Sequence, residues 1–433
     1  MFAILKNRTY RHLFLAQIAS LLGTGLATVA LGLLAFDIAA GNAGQVLGTA
    51  LAIKMAAYIG IAPLAGALAE KFPRRAMLVA LDVVRAAVAL LLPFVNQAWQ
   101  IYVLIFVLQS ASAAFTPTFQ ATIPDILPDE KDYTQALSLS RLAYDLENLA
   151  SPLLAAALLS VVSFHSLFMG TVAGFLLSAW LVFTVALPTF KPTVQRRFMQ
   201  RLTRGSRLYL ATPRLRGLLA FNLAIAAASA MVIVNTVVMV QGEFALGQRD
   251  TAFALMCYGA GSMLTALALP QLLDKLSDRR AMAGGALLLA LGLLAGSAIN
   301  GFYSLLAVWL LLGIGGALSA LPTGRLLRRS ATEADRPALF SAQFALSHAC
   351  WLLTYPLAGW LGSRLGMGYT FAIFSAIAGA ALAAALTLWR EETPLPPHRH
   401  NLPADHPHLQ QYPLQNGRHR HDGRADEYHD WLR

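Results

Sequence analysis

The chain is a succession of apolar runs, each about as long as a bilayer is thick, separated by short polar stretches. A membrane-crossing helix needs about 20 mostly apolar residues, and runs of that kind recur near residues 13–36, 46–69, 76–95, 99–120, 136–161 and 165–187. A basic stretch follows, and six more runs lie near 217–240, 251–273, 281–299, 302–322, 338–362 and 366–389. Only 13% of the residues are charged, about half the share in soluble chains. Such a chain has too little polar surface to face water all round. An all-α membrane protein of twelve spans is the expected fold, with lipid as its principal partner.

The net charge of +11 is a matter of topology rather than of nucleic-acid binding. Lys and Arg gather in alternate loops: Lys6, Arg8 and Arg11; Lys71, Arg74 and Arg75; Lys131; the stretch 191–216; Lys275, Arg279 and Arg280; Arg325, Arg328, Arg329 and Arg336; and the tail. The intervening loops hold only Arg249 and Arg364. Cytoplasmic loops carry the excess of basic residues, so both termini are expected in the cytoplasm. The first run is too long for a signal-peptide core and lacks a convincing cleavage site, so it reads as a retained helix. The organisation predicted is a six-helix bundle over 1–190, a basic linker over 191–216 that lies on anionic lipid, a second six-helix bundle over 217–390 and a tail over 391–433. A monomer is expected.

The halves echo each other. Gly66, Glu70, Lys71, Arg74 and Arg75 follow the second run, and Asp274, Lys275, Asp278, Arg279 and Arg280 follow the eighth. Parallel repeats of this kind build one large class of transporters. At these residues the chain resembles the major facilitator superfamily, whose second loop reads Gly-x-x-x-Asp-Arg/Lys-x-Gly-Arg-Arg/Lys. Here Glu70 replaces the Asp and Pro73 the second Gly. The resemblance implies two pseudo-symmetric bundles latched by these charges on the cytoplasmic side. Two departures stand out. Phe106 occupies the place of the arginine that drug/proton antiporters of the family often carry in span 4, where Gln109 is followed by Ser110. Ser151-Pro152 replaces their Gly-Pro in span 5. The end of span 4, with Pro117, Pro124 and Asp125, looks closer to the macrolide and siderophore exporters. The N-terminal half and the tail look like bacterial nickel-resistance exporters of the Nre type, of the inner membrane.

The tail carries His398, His400, His406, His408, His419, His421 and His429, six of them in His-x-His pairs, beside Asp405, Asp422, Asp426, Glu427 and Asp430. Imidazole suits divalent Ni, Zn, Cu and Co, and the proline-rich composition opposes a packed fold. The chemistry does not select one ion; the resemblance implies Ni(II). A polar tail with incidental histidines is the plainer alternative.

Ionisable residues inside spans are costly and therefore functional candidates. They are Asp37, Lys54, Asp82, Arg85, Arg141, Asp145 and Glu147, with Asn222 and His348 as polar additions. Asp82 with Arg85 and Arg141 with Asp145 have helical pair spacing, so structural pairing competes with transport roles. Glu147 has no local basic partner and is a candidate for cation or proton binding, or for pairing with Lys54 or Arg85. His348 and Cys350 are spaced poorly for chelation on a helix.

No Walker A motif, Gly-x-Ser-x-Gly or His-Glu-x-x-His occurs, so no enzyme or ATP-driven pump is expected. The function expected is proton-coupled export of a divalent metal, most naturally Ni(II). The alternative is export of a small organic molecule such as a drug or siderophore, for which the aromatic residues Tyr58, Phe115, Trp351 and Tyr355 are suited. A metal-binding sensor whose body no longer transports is the third reading.

Overall fold

A computed structural model describes residues 2–39, 43–68, 72–159, 161, 163–188, 198–273, 275–332 and 335–389. Apart from short connections, these residues are helical. The first six long helices are α1 (Arg8–Ala39), α2 (Ala43–Leu68), α3 (Arg74–Leu91), α4 (Ala98–Ile126), α5 (Glu130–Leu159) and α6 (Phe164–Phe183). After the linker helix α7 (Phe198–Ala211) come α8 (Pro213–Val237), α9 (Gln248–Leu273), α10 (Asp278–Gly296), α11 (Phe302–Ala320), the short α12 (Thr323–Ser330), α13 (Arg336–Leu365) and α14 (Met367–Leu388). Each of the twelve expected spans falls on one long helix. Helices are the natural form here, because each backbone N–H and C=O must find its partner within the segment when no water is present.

Nine of these helices, among the described residues, are long and apolar enough to cross a membrane. The other long helices are α2, α5 and α13. α2 qualifies only as a shorter apolar stretch, Ala52–Leu68. α5 holds Arg141, Asp145 and Glu147, and α13 holds Gln343, Ser347 and His348. The fold explains their polarity: these three helices face the opposite half of the molecule.

Packing repeats between the halves. In the first lobe α1 lies on α6, α2 on α4 and α3 on α6; in the second, α8 lies on α14, α9 on α11 and α10 on α14. These are the same pairings six spans apart. Each lobe has its own apolar interior, built around Leu13, Leu78, Phe168 and Phe175 in the first and Trp309, Phe221, Phe371 and Phe374 in the second. The α1–α6 contact is close because Gly174 meets Gly23; a Cβ on Gly174 would stand 2.6 Å from the Ala19 carbonyl oxygen. Small residues let helices approach this way in membranes, where packing replaces the hydrophobic effect as the driving force.

The lobes meet through crossed pairs, α2 against α13 and α5 against α9. α7 was expected only as part of a basic surface stretch. It is an amphipathic helix seated on α13 and α2, with Gly205 directly beneath the Ala338 backbone.

Candidate functional site: a central polar layer and an inter-lobe latch

Two groups of polar side chains gather between and beside the lobes. The first is central. On α3, Asp82 and Arg85 stand one turn apart, form a direct ion pair and are both buried. Arg85 Nη1 donates to Ser20 Oγ on α1 at 3.2 Å, and Ser178 Oγ on α6 donates to the other carboxylate oxygen of Asp82 at 2.7 Å. The guanidinium is sandwiched between Phe115 and Phe175, 4.1 and 4.6 Å from their ring centroids. Aromatic faces attract a desolvated cation, so the charge is held by one carboxylate, one hydroxyl and two rings.

On α5, Arg141 Nε donates to Asp145 at 3.2 Å and to Ser262 Oγ of α9 at 2.8 Å. The second of these bonds crosses the lobes. Ser140 donates to Gln17 of α1 at 3.0 Å. Glu147 follows Tyr144 by nearly one turn, is half-buried and is itself partnered.

Tyr58 joins this layer to the second lobe. Its hydroxyl donates to Gln109 Oε1 on α4 at 3.0 Å. Its ring meets Phe344 and His348 of α13, with centroid separations of 5.0 and 4.7 Å, and Trp351 continues the cluster 4.9 Å beyond His348. His348 Nδ1 lies 2.7 Å from the Phe344 carbonyl oxygen; a carbonyl only accepts, so Nδ1 carries the proton. Lys54 Nζ stands over the Tyr58 ring at 5.5 Å.

The second group closes one end of the lobe interface, the end carrying most of the basic loops. Asp125, at the end of α4, pairs with Arg74 of its own lobe and with Arg336 of the other. Glu130, at the start of α5, takes Arg325 at 2.5 Å and also Arg329 of α12. Arg329 continues to Asp278 at 3.0 Å. Arg328 donates to the Pro128 carbonyl and lies 5.5 Å from the Tyr133 ring centroid; burial holds the Tyr133 hydroxyl well above its ordinary pKa. α7 joins the same end, Arg204 forming a two-pronged bond to Asp335 at 3.0 and 3.1 Å and Tyr209 donating to Gln343 at 2.5 Å. Gly66 lies against Ser341 of α13, where a Cβ would stand 2.8 Å from Oγ. Among the described residues, every ion pair between the lobes lies at this end.

The structure thus brings together Lys54, Asp82, Arg85, Arg141, Asp145, Glu147 and His348 in the central region. Asn222 is elsewhere: it is buried within the second lobe, on α8. Asp37 falls on α1, with its side chain outside the described ones. In the two loop repeats, Gly66, Arg74 and Asp278 enter the latch. Arg75 lies over Phe183 at 5.5 Å, Arg279 donates to the Trp389 and Leu386 carbonyls at 2.8 and 3.1 Å, and Lys275 and Arg280 are exposed. Glu70, Lys71, Asp274 and the seven tail histidines lie outside the described residues. Among the described residues no group of three or more His, Cys, Asp and Glu side chains is arranged to hold a metal ion. Glu130, Asp335 and the α12 arginines at the inter-lobe ion pairs, and Ser262 as the central partner of Arg141, were not anticipated from the sequence.

Known proteins carry the same architecture. The human organic anion transporter MFSD10 (TETRAN) superposes with a TM-score of 0.77 at 13% identity, over 87% of this chain and 99% of that one. A bacterial homologue of the iron transporter ferroportin, in an outward-facing state, gives 0.69 at 15% identity, over 88% and 98%. At these identities the likeness is one of fold. The uncharacterized MFS-type transporter YfiS of Bacillus subtilis is 29% identical over 132 residues, 30% of this chain and 31% of that protein. Macrolide efflux protein A of Streptococcus pyogenes is 25% identical over 159 residues, 34% and 39%. The matched stretches therefore span about a third of each curated relative. With its long apolar helices, the chain is a multi-pass protein of the bacterial cytoplasmic membrane. The family model of the Major Facilitator Superfamily matches residues 13–239 and 218–416, nearly the whole chain, and the protein belongs to that superfamily.

Proposed function

We propose that the chain is a secondary active exporter of a small, partly aromatic organic molecule. The observation that carries this reading is the seam between α2 and α13. There the lobes meet through Tyr58, Phe344, His348 and Trp351, a lining suited to a planar apolar ligand. The partial likeness to a macrolide efflux protein supports the same reading. In this proposal twelve spans cross the membrane with both termini in the cytoplasm, as the distribution of Lys and Arg supports. The latch then lies on the cytoplasmic side and its closure corresponds to an outward-facing arrangement. Rocking of the two lobes opens it. Coupling to protons falls to Asp82, Asp145 or Glu147, whose charge lies deep in the bundle.

Export of a divalent metal, Ni(II) first, is the second reading. It is favoured by the seven tail histidines and by the resemblance to Nre-type exporters; in it the tail gathers metal in the cytoplasm. Everted membrane vesicles separate the two. Accumulation of an aromatic dye that an uncoupler abolishes, without accumulation of nickel, is the expected result. Nickel accumulation with no movement of any organic probe would replace the first reading by the second.

A further inference from the structure

Lys54 sits in the interior of α2, half-buried, at the seam between the lobes. The two buried carboxylates of the central layer are already engaged, Asp82 by Arg85 and Asp145 by Arg141. Among the described residues no ion pair involves Lys54; its ammonium has only the Tyr58 ring beneath it. An ammonium without a counter-charge at such depth is costly and is rarely kept without a role. Across the seam, Trp351 Nε1 is buried and has no hydrogen-bond acceptor among the described residues. Buried donors are almost always satisfied. Two polar groups that only donate, one of them charged, thus stand in one aromatic cluster, and neither has a hydrogen-bond acceptor among the described residues.

We infer that Lys54, Tyr58 and Trp351 form the recognition site for an organic anion bearing an aromatic ring. The carboxylate or sulfonate of such a ligand faces the Lys54 ammonium, its ring stacks in the Tyr58–Phe344–Trp351 wall, and a ligand acceptor takes the Trp351 N–H. This rests on the exporter reading and narrows its substrate class. It also gives a reason for discrimination, since the same ammonium repels an organic cation or a bare divalent metal at the seam. Binding neutralises Lys54, so the loaded seam loses the charge that the empty one carries.

The test uses the purified full-length chain in lipid nanodiscs and three probes of matched shape: 2-naphthoate, 2-naphthamide and (2-naphthylmethyl)ammonium. Equilibrium binding is expected to favour naphthoate over the amide by tenfold or more, with the ammonium weakest. Lys54→Met removes that preference, Lys54→Arg keeps most of it, and Trp351→Phe weakens naphthoate by about threefold. The comparison of the three probes on the unsubstituted protein needs no variant, so a misfolded variant does not decide the outcome. Equal or tighter binding of the amide or ammonium overturns the inference and leaves the exporter reading standing. So does a naphthoate affinity that stays within twofold in a folded Lys54→Met protein. If no probe of any charge binds, and proteoliposomes move none of them under a pH gradient, the organic-exporter reading fails together with the inference.

Discussion

Arg336 of the second lobe is ion-paired with Asp125 of the first, although 211 positions separate them in the sequence. Both are nearly buried. Asp125 also holds Arg74, so a single carboxylate ties two arginines and two lobes. Removing one partner from a buried pair leaves an uncompensated charge and costs about 3–5 kcal/mol. Asp125→Asn is therefore expected to open the latch, lowering transport at least tenfold and exposing cysteines engineered at the α4–α13 seam to thiol reagents. Glu130 is 39% exposed, and solvent screens its pairs. Glu130→Gln should cost about 1 kcal/mol or less and transport should fall by less than fivefold. Equal losses in the two variants would show that burial of Asp125 does not govern the latch.

Gly66 sets how closely α2 approaches α13. A methyl group there meets Ser341 Oγ and Cβ at 2.8 and 2.9 Å and the Ala338 Cα at 3.3 Å. Overpacking of this kind costs about 1–3 kcal/mol. Gly66→Ala is expected to impair transport moderately and Gly66→Val to abolish it, with both proteins still reaching the membrane. Ser341→Gly should restore much of the activity of Gly66→Ala, and vesicle transport assays of the double variant test this. Absence of rescue would mean that the obstruction is with Ala338.

Asp82 and Arg85 separate stability from coupling. Asp82→Asn leaves the guanidinium between two phenyl rings with a neutral partner, and the protein should lose about 3 kcal/mol of stability. Replacing both residues by apolar ones of similar volume, Asp82→Leu with Arg85→Met, should recover most of that loss, because the desolvation of both charges is removed. Thermal unfolding in detergent reads the recovery. Proton-driven transport by the double variant is expected to stay below a tenth of normal if the pair carries coupling, and to return if it is only structural.

Truncation after residue 397 removes the seven tail histidines. Nickel binding to the purified protein, measured calorimetrically, should disappear, while export of an organic substrate should change by less than twofold. A loss of organic export along with nickel binding would tie the tail to the transport cycle itself.

Much of the frame was legible from residue patterns alone. The runs of apolar residues coincide with the long helices because a bilayer imposes one length and one polarity on each. The repeated Lys/Arg loops led to Gly66, Arg74 and Asp278, which lie at the end of the lobe interface that carries the inter-lobe ion pairs. Their partners did not show. Glu130 reads as a good first-turn residue for a helix, and Arg325 and Arg329 as ordinary positive-inside charges; only folding brings them within 2.5 Å or so of one another. α12 escaped notice because eight residues carrying three arginines have no span-like apolarity. Tyr58 and His348 were each legible as candidates, one for an apolar ligand and one as a polar residue within a span, but not their meeting across the two lobes.

The polarity of α5 bears on how the protein is made. A charged residue at the centre of an isolated helix raises the cost of membrane insertion by about 2.5–3.5 kcal/mol, and α5 carries Arg141, Asp145 and Glu147. Arg141 offsets Asp145 within the helix, and α1 supplies Gln17, but Ser262 belongs to α9. α9 leaves the ribosome about a hundred residues after α5. Until then α5 lacks its companion from the second lobe. In the proposed twelve-span arrangement the polar face of α5 is thus completed only once the second half of the chain has been made.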